Sequence, residues 1–284
     1  MKKFSIAVGK ALLYFLAFFG IQIVSSALFS FIIGFQTALE TESDVSQNEL
    51  TNAITSKILE NQTAIILTAN ILLLLVLFLF FKIRKKNFCS EIQLQKCGIG
   101  SIIAGVLFGM GLSTLVSFVI NLIPFSDEMV GSFNESYSLI GTGNIIITYL
   151  SVALVAPIAE EILFRGLIFT RLKKGMHFSV AIIISSLLFA LAHGNLIWMI
   201  PTFFLGASSA WIFEKTKSLL PSIALHLFNN ILAVLTISIT QMPVWISLMI
   251  LLLSPLAVII SAVYLIKYQK TVQGNDVNEN APVQ

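Results

Sequence analysis

The sequence predicts an all-α protein, a polytopic transmembrane helical bundle with about eight spans. Of its 284 residues, 57% are apolar and 11% are charged, whereas soluble domains contain about 25% charged residues. The mean hydropathy of +0.93 is too high for a chain of this size to cover its surface in water. Two cysteines are too few for a disulfide scaffold, and the composition also excludes disordered, coiled-coil and nucleic-acid-binding proteins. The first predicted partner is therefore the lipid bilayer.

Eight apolar segments are long enough to cross a membrane, which takes about 20 residues of helix. They lie near residues 11–35, 63–82, 99–123, 145–164, 179–194, 197–213, 221–238 and 243–266. The first follows three lysines, as a signal peptide would. Its apolar run is too long for a signal peptide and lacks a clear small-x-small cleavage site, so we predict a retained span. The polar residues 271–284 are predicted to form a disordered tail.

The loops between the predicted spans alternate in charge. Lysine and arginine follow spans 2, 4, 6 and 8 and precede span 1, whereas the loops after spans 1 and 3 are acidic. The positive-inside rule then places both termini in the cytoplasm. Because one missed span would invert every later loop, the regular alternation also supports the count of eight.

Ionisable residues within the predicted spans are the strongest functional signal. A charged side chain at the bilayer centre costs about 2.5–3.5 kcal/mol even on permissive scales, so such residues are interpreted as functional by default. In the second half of the chain they form a short set, joined by one polar amide: Glu160, Glu161, Arg165, His193, His226 and Asn230.

The spacing of the two acids predicts different roles for them. Glu161 and Arg165 are four residues apart on one helical face, in the favourable order, so Arg165 is expected to compensate Glu161. Glu160 is turned about 100° away and lacks that partner. Pro157, one turn earlier, is expected to kink or open the helix. The alternative interpretation is a solvated charge cluster at a helix end.

The histidines lie on two further spans. His193 ends the fifth, one turn after Phe189, and His226 shares a helical face with Asn230. Taken alone, His193 is explained as a histidine at the membrane interface, and His226 with Asn230 as a hydrogen-bonding pair between helices. Together with Glu160, these groups can activate a water. The carboxylate acts as a general base, or Zn²⁺ is held by Glu160, His193 and His226, and the amide polarises a peptide carbonyl. Both routes predict peptide-bond hydrolysis.

Three motifs on these spans resemble the signature of the CPBP family, which contains the CAAX prenyl endopeptidases of the Rce1 type and bacterial bacteriocin-processing and self-immunity proteins, also called Abi. The motifs are Glu160-Glu161-x-x-x-Arg165, Phe189-x-x-x-His193 and His226-x-x-x-Asn230. The resemblance covers roughly residues 145–238. A further stretch, from Phe204-Leu205-Gly206 through Glu214 to Ile223, resembles the family's connection into its last catalytic helix. It departs from the family at Lys217, where many members have glycine.

The resemblance implies an intramembrane endopeptidase in a bacterial cell membrane, with a cavity reached from the cytoplasm. By motif, Glu160 and His193 would activate a water, and His226 and Asn230 would stabilise the oxyanion. The family is commonly labelled as metalloproteases, so a Zn²⁺ site and a metal-free, glutamate-activated water both remain open. The implied substrate is a peptide or a lipid-modified protein.

By the same motifs, Glu161 and Arg165 would brace the site. The predicted domains are residues 1–143 with spans 1–3, residues 144–240 as the catalytic membrane core, and residues 241–284 with the last span and tail.

The sequence leaves two other functions open: a non-catalytic immunity or scaffold protein, and a proton-coupled transporter. A rise of about 1.5 Å per residue places Glu160 near the cytoplasmic side and His193 nearer the outer side, which disagrees with convergence.

Overall fold

The computed structural model describes residues 2–41, 45–141, 143–237 and 243–279. Within these ranges the chain is helical and contains no strand. The helices are α1 (Lys2–Glu40), α2 (Gln47–Glu60), α3 (Gln62–Ile83), α4 (Phe88–Glu91), α5 (Ile99–Ile120), α6 (Asp127–Gly141), α7 (Ile145–Leu172), α8 (Phe178–Leu191), α9 (Leu196–Thr216), α10 (Leu220–Ile237) and α11 (Val244–Glu279).

The predicted all-α membrane bundle is confirmed. Among the described residues, six helices are long and apolar enough to cross a bilayer: α1, α3, α5, α7, α9 and α11. Helices α8 and α10 are apolar but shorter. Together these eight helices match the eight predicted spans one by one.

Several predicted boundaries are wrong. Helix α7 continues to Leu172, eight residues beyond the predicted end at 164, because the charged Arg165 is buried inside the bundle and does not mark a membrane surface. Helix α11 continues to Glu279, so residues 271–279 of the predicted disordered tail are helical. The polar residues after 270 mark the end of the apolar, membrane-spanning part, but polar residues are compatible with a helix that continues beyond it. The remainder of that tail lies outside the described residues.

Helix α7 lies at the centre of the bundle. It packs against α1, α3, α8, α9 and α10, and every residue from Ile162 to Phe169 is buried. By contrast, α1 and α11 expose many large apolar side chains, as expected for helices that face lipid. The ionisable residues of α7 therefore face protein and not hydrocarbon.

Helix α10 packs closely against α5 from its first turn. A side chain at Gly105 of α5 would meet Pro221, and one at Gly109 would collide with Leu225, so the two helices approach closely. The start of α10 is held by a hydrogen bond of 3.1 Å from the Leu219 N–H to the Gln93 carbonyl. The first turn of α10 thus lies beside the second turn of α5. The residues that follow in α10 therefore lie in the middle of the bundle and not at its edge.

Helix α9 is followed by Lys217, which has φ 55° and ψ 17°. This left-handed conformation is the usual one after a helix and favours glycine. The position at which the chain departs from the family motif is therefore a helix cap in which a lysine adopts a glycine-like backbone.

Candidate active site

Helix α7 is irregular on both sides of its acidic pair. Residues 149–155 and 162–169 form π-helical segments, and the six residues Ala156–Glu161 between them are α-helical. Short π segments are rare and are frequently found at functional sites. The opening expected at Pro157 is therefore present as a π segment that ends just before this residue.

Pro157 leaves one backbone acceptor free, and Asn230 binds it. The Ala156 N–H donates to the Ser151 carbonyl, and in this π register residue 157 would donate to the carbonyl of Val152. Proline has no N–H, so the Val152 carbonyl is open, and the side-chain amide of Asn230 donates to it at 2.8 Å. An amide has two N–H donors, so the second hydrogen of Asn230 is available to another acceptor.

Glu161 is fully buried and joins two helices. Its Oε1 lies 3.1 Å from Arg165 Nη1 in an ion pair within α7 and accepts a hydrogen bond of 2.9 Å from Nδ1 of His226 in α10. All three side chains are at most 2% exposed. The pairing with Arg165 follows the predicted spacing, whereas the contact with His226 joins residues 65 positions apart and has no local signal.

Glu160 lies on the other side of the same imidazole. Its Oε2 is 3.7 Å from Nε2 of His226, and its side chain is 17% exposed, against 0% for Glu161. This separation is longer than a hydrogen bond and is one that a water can bridge. His226 therefore lies between a buried carboxylate and a more accessible one.

Phe189 of α8 connects the two histidines. Its ring meets His193 edge-on at a centroid distance of 4.8 Å and His226 at 5.6 Å. The Arg165 guanidinium lies 4.3 Å from the centre of the same ring, a cation–π contact. A side chain at Gly206 of α9 would approach both Phe189 and Arg165 within 3.1 Å. The absence of one there lets α9 close over this stack.

The imidazole of His193 folds back towards the bundle centre. Its Nδ1 lies 2.9 Å from the Phe189 carbonyl one turn earlier. Because a carbonyl only accepts, Nδ1 carries the proton and Nε2 is left as an acceptor. The difference in depth expected from counting residues along the spans came from the wrong end of the fourth span. Helix α7 continues twelve residues beyond Glu160, to Leu172, which is about 18 Å of helix, so Glu160 lies well inside the bundle. His193 also lines an open cleft of about 680 Å³.

The residues expected as ligands in a metal-dependent protein do not form a metal site. Within the described parts of the chain, no three or more His, Cys, Asp or Glu side chains are arranged to hold a metal ion. Glu160 and His226 are neighbours, whereas His193 is connected to them through the Phe189 ring.

The structure brings most of the predicted site residues into one group. The residues in direct contact are Glu160, Glu161, Arg165 and His226. His193 joins them through Phe189, and Asn230 is held on the Val152 carbonyl. Sequence reasoning missed Val152, and it placed Gly206 in a stretch that resembles the family without giving it a role. Pro157 indicates that one carbonyl on the preceding turn lacks its backbone partner. In a regular α-helix this would be the carbonyl of Ala153, whereas in the π segment it is that of Val152.

The fold and the site define a class: a polytopic helical membrane protein with carboxylates and imidazoles packed at its centre. Within it, residues 142–232 match the family model described as Type II CAAX prenyl endopeptidase Rce1-like. This region of the chain is therefore similar to Rce1-like domains, and the resemblance predicted from the three motifs is confirmed.

Three bacterial proteins are similar to parts of the chain. YdiL of Bacillus subtilis, whose name describes a membrane peptidase, is 34% identical over 83 residues, which are 29% of this chain and 34% of YdiL. The membrane-embedded CAAX protease MroQ of Staphylococcus aureus is 28% identical over 138 residues, 45% of this chain and 56% of MroQ. The UPF0177 protein YxdF of Lactococcus lactis is 25% identical over 130 residues, 44% of this chain and 72% of YxdF. No solved structure matches the chain.

Proposed function

We propose that this protein is a membrane-embedded endopeptidase, with residues 144–240 as its catalytic core. The observation that carries the proposal is the place of His226 between two carboxylates, 2.9 Å from Glu161 and 3.7 Å from Glu160. The bond to Glu161 fixes the tautomer of His226, so that its Nε2 faces Glu160. A partly accessible carboxylate beside an oriented imidazole suits general acid–base catalysis.

In the proposed first step, Glu160 activates a water. The water is held between the Glu160 carboxylate and the free Nε2 of His193, and it gives a proton to Glu160 as its oxygen attacks the carbonyl carbon of the scissile bond. The resulting oxyanion accepts hydrogen bonds from the second amide hydrogen of Asn230 and from Nε2 of His226 when that ring is doubly protonated. Such donors act most strongly where water is excluded.

In the second step the tetrahedral intermediate collapses. The carbon–nitrogen bond breaks, and the proton held by Glu160 passes to the leaving nitrogen. The products are a carboxylic acid and an amine, so the added water is fully accounted for. Arg165 and Glu161 do not touch the substrate in this scheme. They hold His226 and Phe189 in place through the ion pair and the cation–π contact.

A comparison of membrane peptides tests the proposal. Membranes that contain the wild-type protein, Glu160→Gln or Glu49→Gln are compared by peptidomics. Glu49 is an exposed acid on α2 and serves as the control for loss of one charge. We expect the same products from wild type and Glu49→Gln, and none from Glu160→Gln. Identical peptides from all three would contradict the proposal and favour the non-catalytic scaffold.

We further propose a bacterial cell membrane as its location, with both termini in the cytoplasm. The native Cys89 lies in the basic loop and is exposed, and Thr51 on α2 is exposed in the acidic loop. In intact cells, an impermeant maleimide should label Thr51→Cys in a chain without the native cysteines and should not reach Cys89 of the wild type. The reverse pattern would overturn this orientation.

A further inference from the structure

Four positively charged side chains from three parts of the chain meet beside the end of α7. This basic cluster consists of Lys10 of α1, Lys86 of the turn after α3, Arg171 in the last turn of α7, and Lys174 just after it. Partial burial lowers the pKa of Lys174 below its ordinary value of 10.5, and the positive charges of the other three lower it further. Each of them therefore lies within electrostatic reach of Lys174.

The carboxylate next to the basic cluster is Glu91 of α4, and both of its oxygens are already used. Its Oε1 accepts a hydrogen bond of 2.8 Å from Lys86 Nζ, and its Oε2 accepts one from Arg171 Nη2. Within the described parts of the chain, neither Lys10 nor Lys174 forms an ion pair. Two exposed ammonium groups of the cluster are therefore available to an anion from outside the chain.

Backbone packing sets the place of Lys10 in the cluster. A side chain at Gly175 would lie 2.6 Å from Cβ of Ala7 and 2.9 Å from the Lys3 carbonyl, so the start of α1 packs tightly on the turn after α7. Lys10 follows Ala7 by three residues and shares that side of the helix. The cations are thus brought together by the fold and not only by the reach of flexible side chains.

An apolar surface adjoins the basic cluster on α1, which is long and apolar enough to span the membrane. Leu13 follows Lys10 by three residues, and both Leu13 and Leu16 are 65% exposed. Exposed leucines on a membrane helix contact hydrocarbon, whereas the cations require a negative charge. A ligand that fits both surfaces carries an anionic group and a hydrocarbon chain.

We infer that the basic cluster binds the headgroup of an anionic phospholipid, with the phosphate between Lys10 and Lys174 and an acyl chain along Leu13 and Leu16. A phosphate accepts charge-assisted hydrogen bonds from several ammonium groups at once, and basic pockets between membrane helices suit such headgroups. The bound lipid joins α1 to the end of α7. The inference does not depend on whether the protein cleaves peptides.

Quenching of a tryptophan by brominated lipid tests the binding, because bromine on an acyl chain quenches only a tryptophan that it contacts. The full chain is placed in phosphatidylcholine vesicles that contain brominated phosphatidylglycerol or brominated phosphatidylcholine with the same acyl chains. Leu13→Trp places the reporter beside the basic cluster. The signal of the wild-type chain, which has three tryptophans of its own, is subtracted.

Val263→Trp provides the matched control on α11. Val263 is 46% exposed and precedes the exposed Lys267 by four residues, so this reporter also lies one turn from a lysine. Helix α11 packs against α5 and α9, and Lys267 and Lys270 lie along this single helix, whereas the basic cluster converges from three elements.

We expect the preference for phosphatidylglycerol over phosphatidylcholine to be about fivefold greater at position 13 than at position 263, the contribution of about one charged side chain near a membrane surface. Lys10→Gln with Lys174→Gln should remove this difference. Lys10→Arg with Lys174→Arg should keep it, because arginine also binds phosphate. Lys267→Gln with Lys270→Gln should leave the preference at position 13 unchanged.

The inference is overturned if the lipid preference is equal at positions 13 and 263, or if the preference at position 13 survives Lys10→Gln with Lys174→Gln. Loss of the preference on addition of inorganic phosphate at constant ionic strength also overturns it, since the cluster would then bind free phosphate and not a lipid. A melting curve checks the fold of each variant, and Lys174→Gln alone replaces the double variant if that variant does not fold.

Discussion

The helices before residue 142 and the Rce1-like region after it place different polar groups inside the bundle. The buried polar side chains of the first region are neutral and include Ser25, Thr37 and Asn70. Thr37 donates to the carbonyl one turn earlier in its own helix. The second region buries the charged pair Glu161 and Arg165 of α7, and Glu161 also binds His226 of another helix. A neutral polar group can find its hydrogen bond within its own helix, whereas the buried charges of the second region require neighbouring helices to pack in one arrangement.

The largest expected effect comes from Glu160→Gln. Loss of the general base should lower the cleavage rate about 10²–10⁴-fold, and the melting temperature should change little because the amide keeps the volume of the carboxylate. Purified protein in detergent, with a peptide-cleavage assay and a melting curve, measures both. Full activity in this variant would end the role of Glu160 as the base.

The next largest effect is on stability and separates the two acids. Glu161→Gln leaves Arg165 without its ion pair in a buried site, which costs about 3–5 kcal/mol, and it weakens the hold on His226. We expect a lower protein level and melting temperature together with lower activity. Thr37→Val in the first region is the control, with a cost of about 1 kcal/mol. Equal melting curves for the two variants would contradict the contrast between the regions.

Much of the site could be predicted because its signals are local in the sequence. The four-residue spacing of Glu161 and Arg165 predicts their pairing, since such residues share a helical face. The bond from His226 to Glu161 could not be predicted, because it depends on how α10 packs against α7 and leaves no periodic signal. The π segments were missed for a related reason, since the sequence was interpreted with a regular α-helical period.

A smaller effect is expected from Pro157→Ala. The new N–H can donate to the Val152 carbonyl and compete with Asn230. The cleavage rate should therefore fall about tenfold, which is less than the loss expected when an oxyanion donor is removed altogether. Asn230→Ala should lower activity as well, and the double variant should be no worse than Asn230→Ala alone. Pro255→Ala, in the lipid-facing α11, is the control and should leave activity unchanged.

Strictly additive losses in the double variant would contradict the role given to Pro157. A melting curve for each variant separates this effect from loss of the fold. The values of kcat and KM should show the loss in kcat, because an oxyanion donor acts in the transition state.

The smallest effect is expected in the first region, at Glu91 of α4. Hydrogen bonds from Lys86, chiefly, and from Arg171 hold the pKa of Glu91 below its ordinary value of 4.5. A lowered pKa stabilises the fold above pH 4.5 and loses that contribution as the pH falls through the lowered value. Glu91→Gln should therefore cost about 1 kcal/mol at pH 7 and less at pH 3.5. Melting curves at both pH values measure it, and an equal loss at both would contradict the assignment.

The order in which the helices leave the ribosome gives the ion pair of α7 a second consequence. Glu161 and Arg165 are synthesised within one helical turn of each other, whereas His226 follows 65 residues after Glu161. Helix α7 therefore enters the membrane before its histidine partner exists. Because the pair is local, the carboxylate is neutralised by its own helix during that interval. The arginine thus acts first as an insertion partner and only later as part of the finished site.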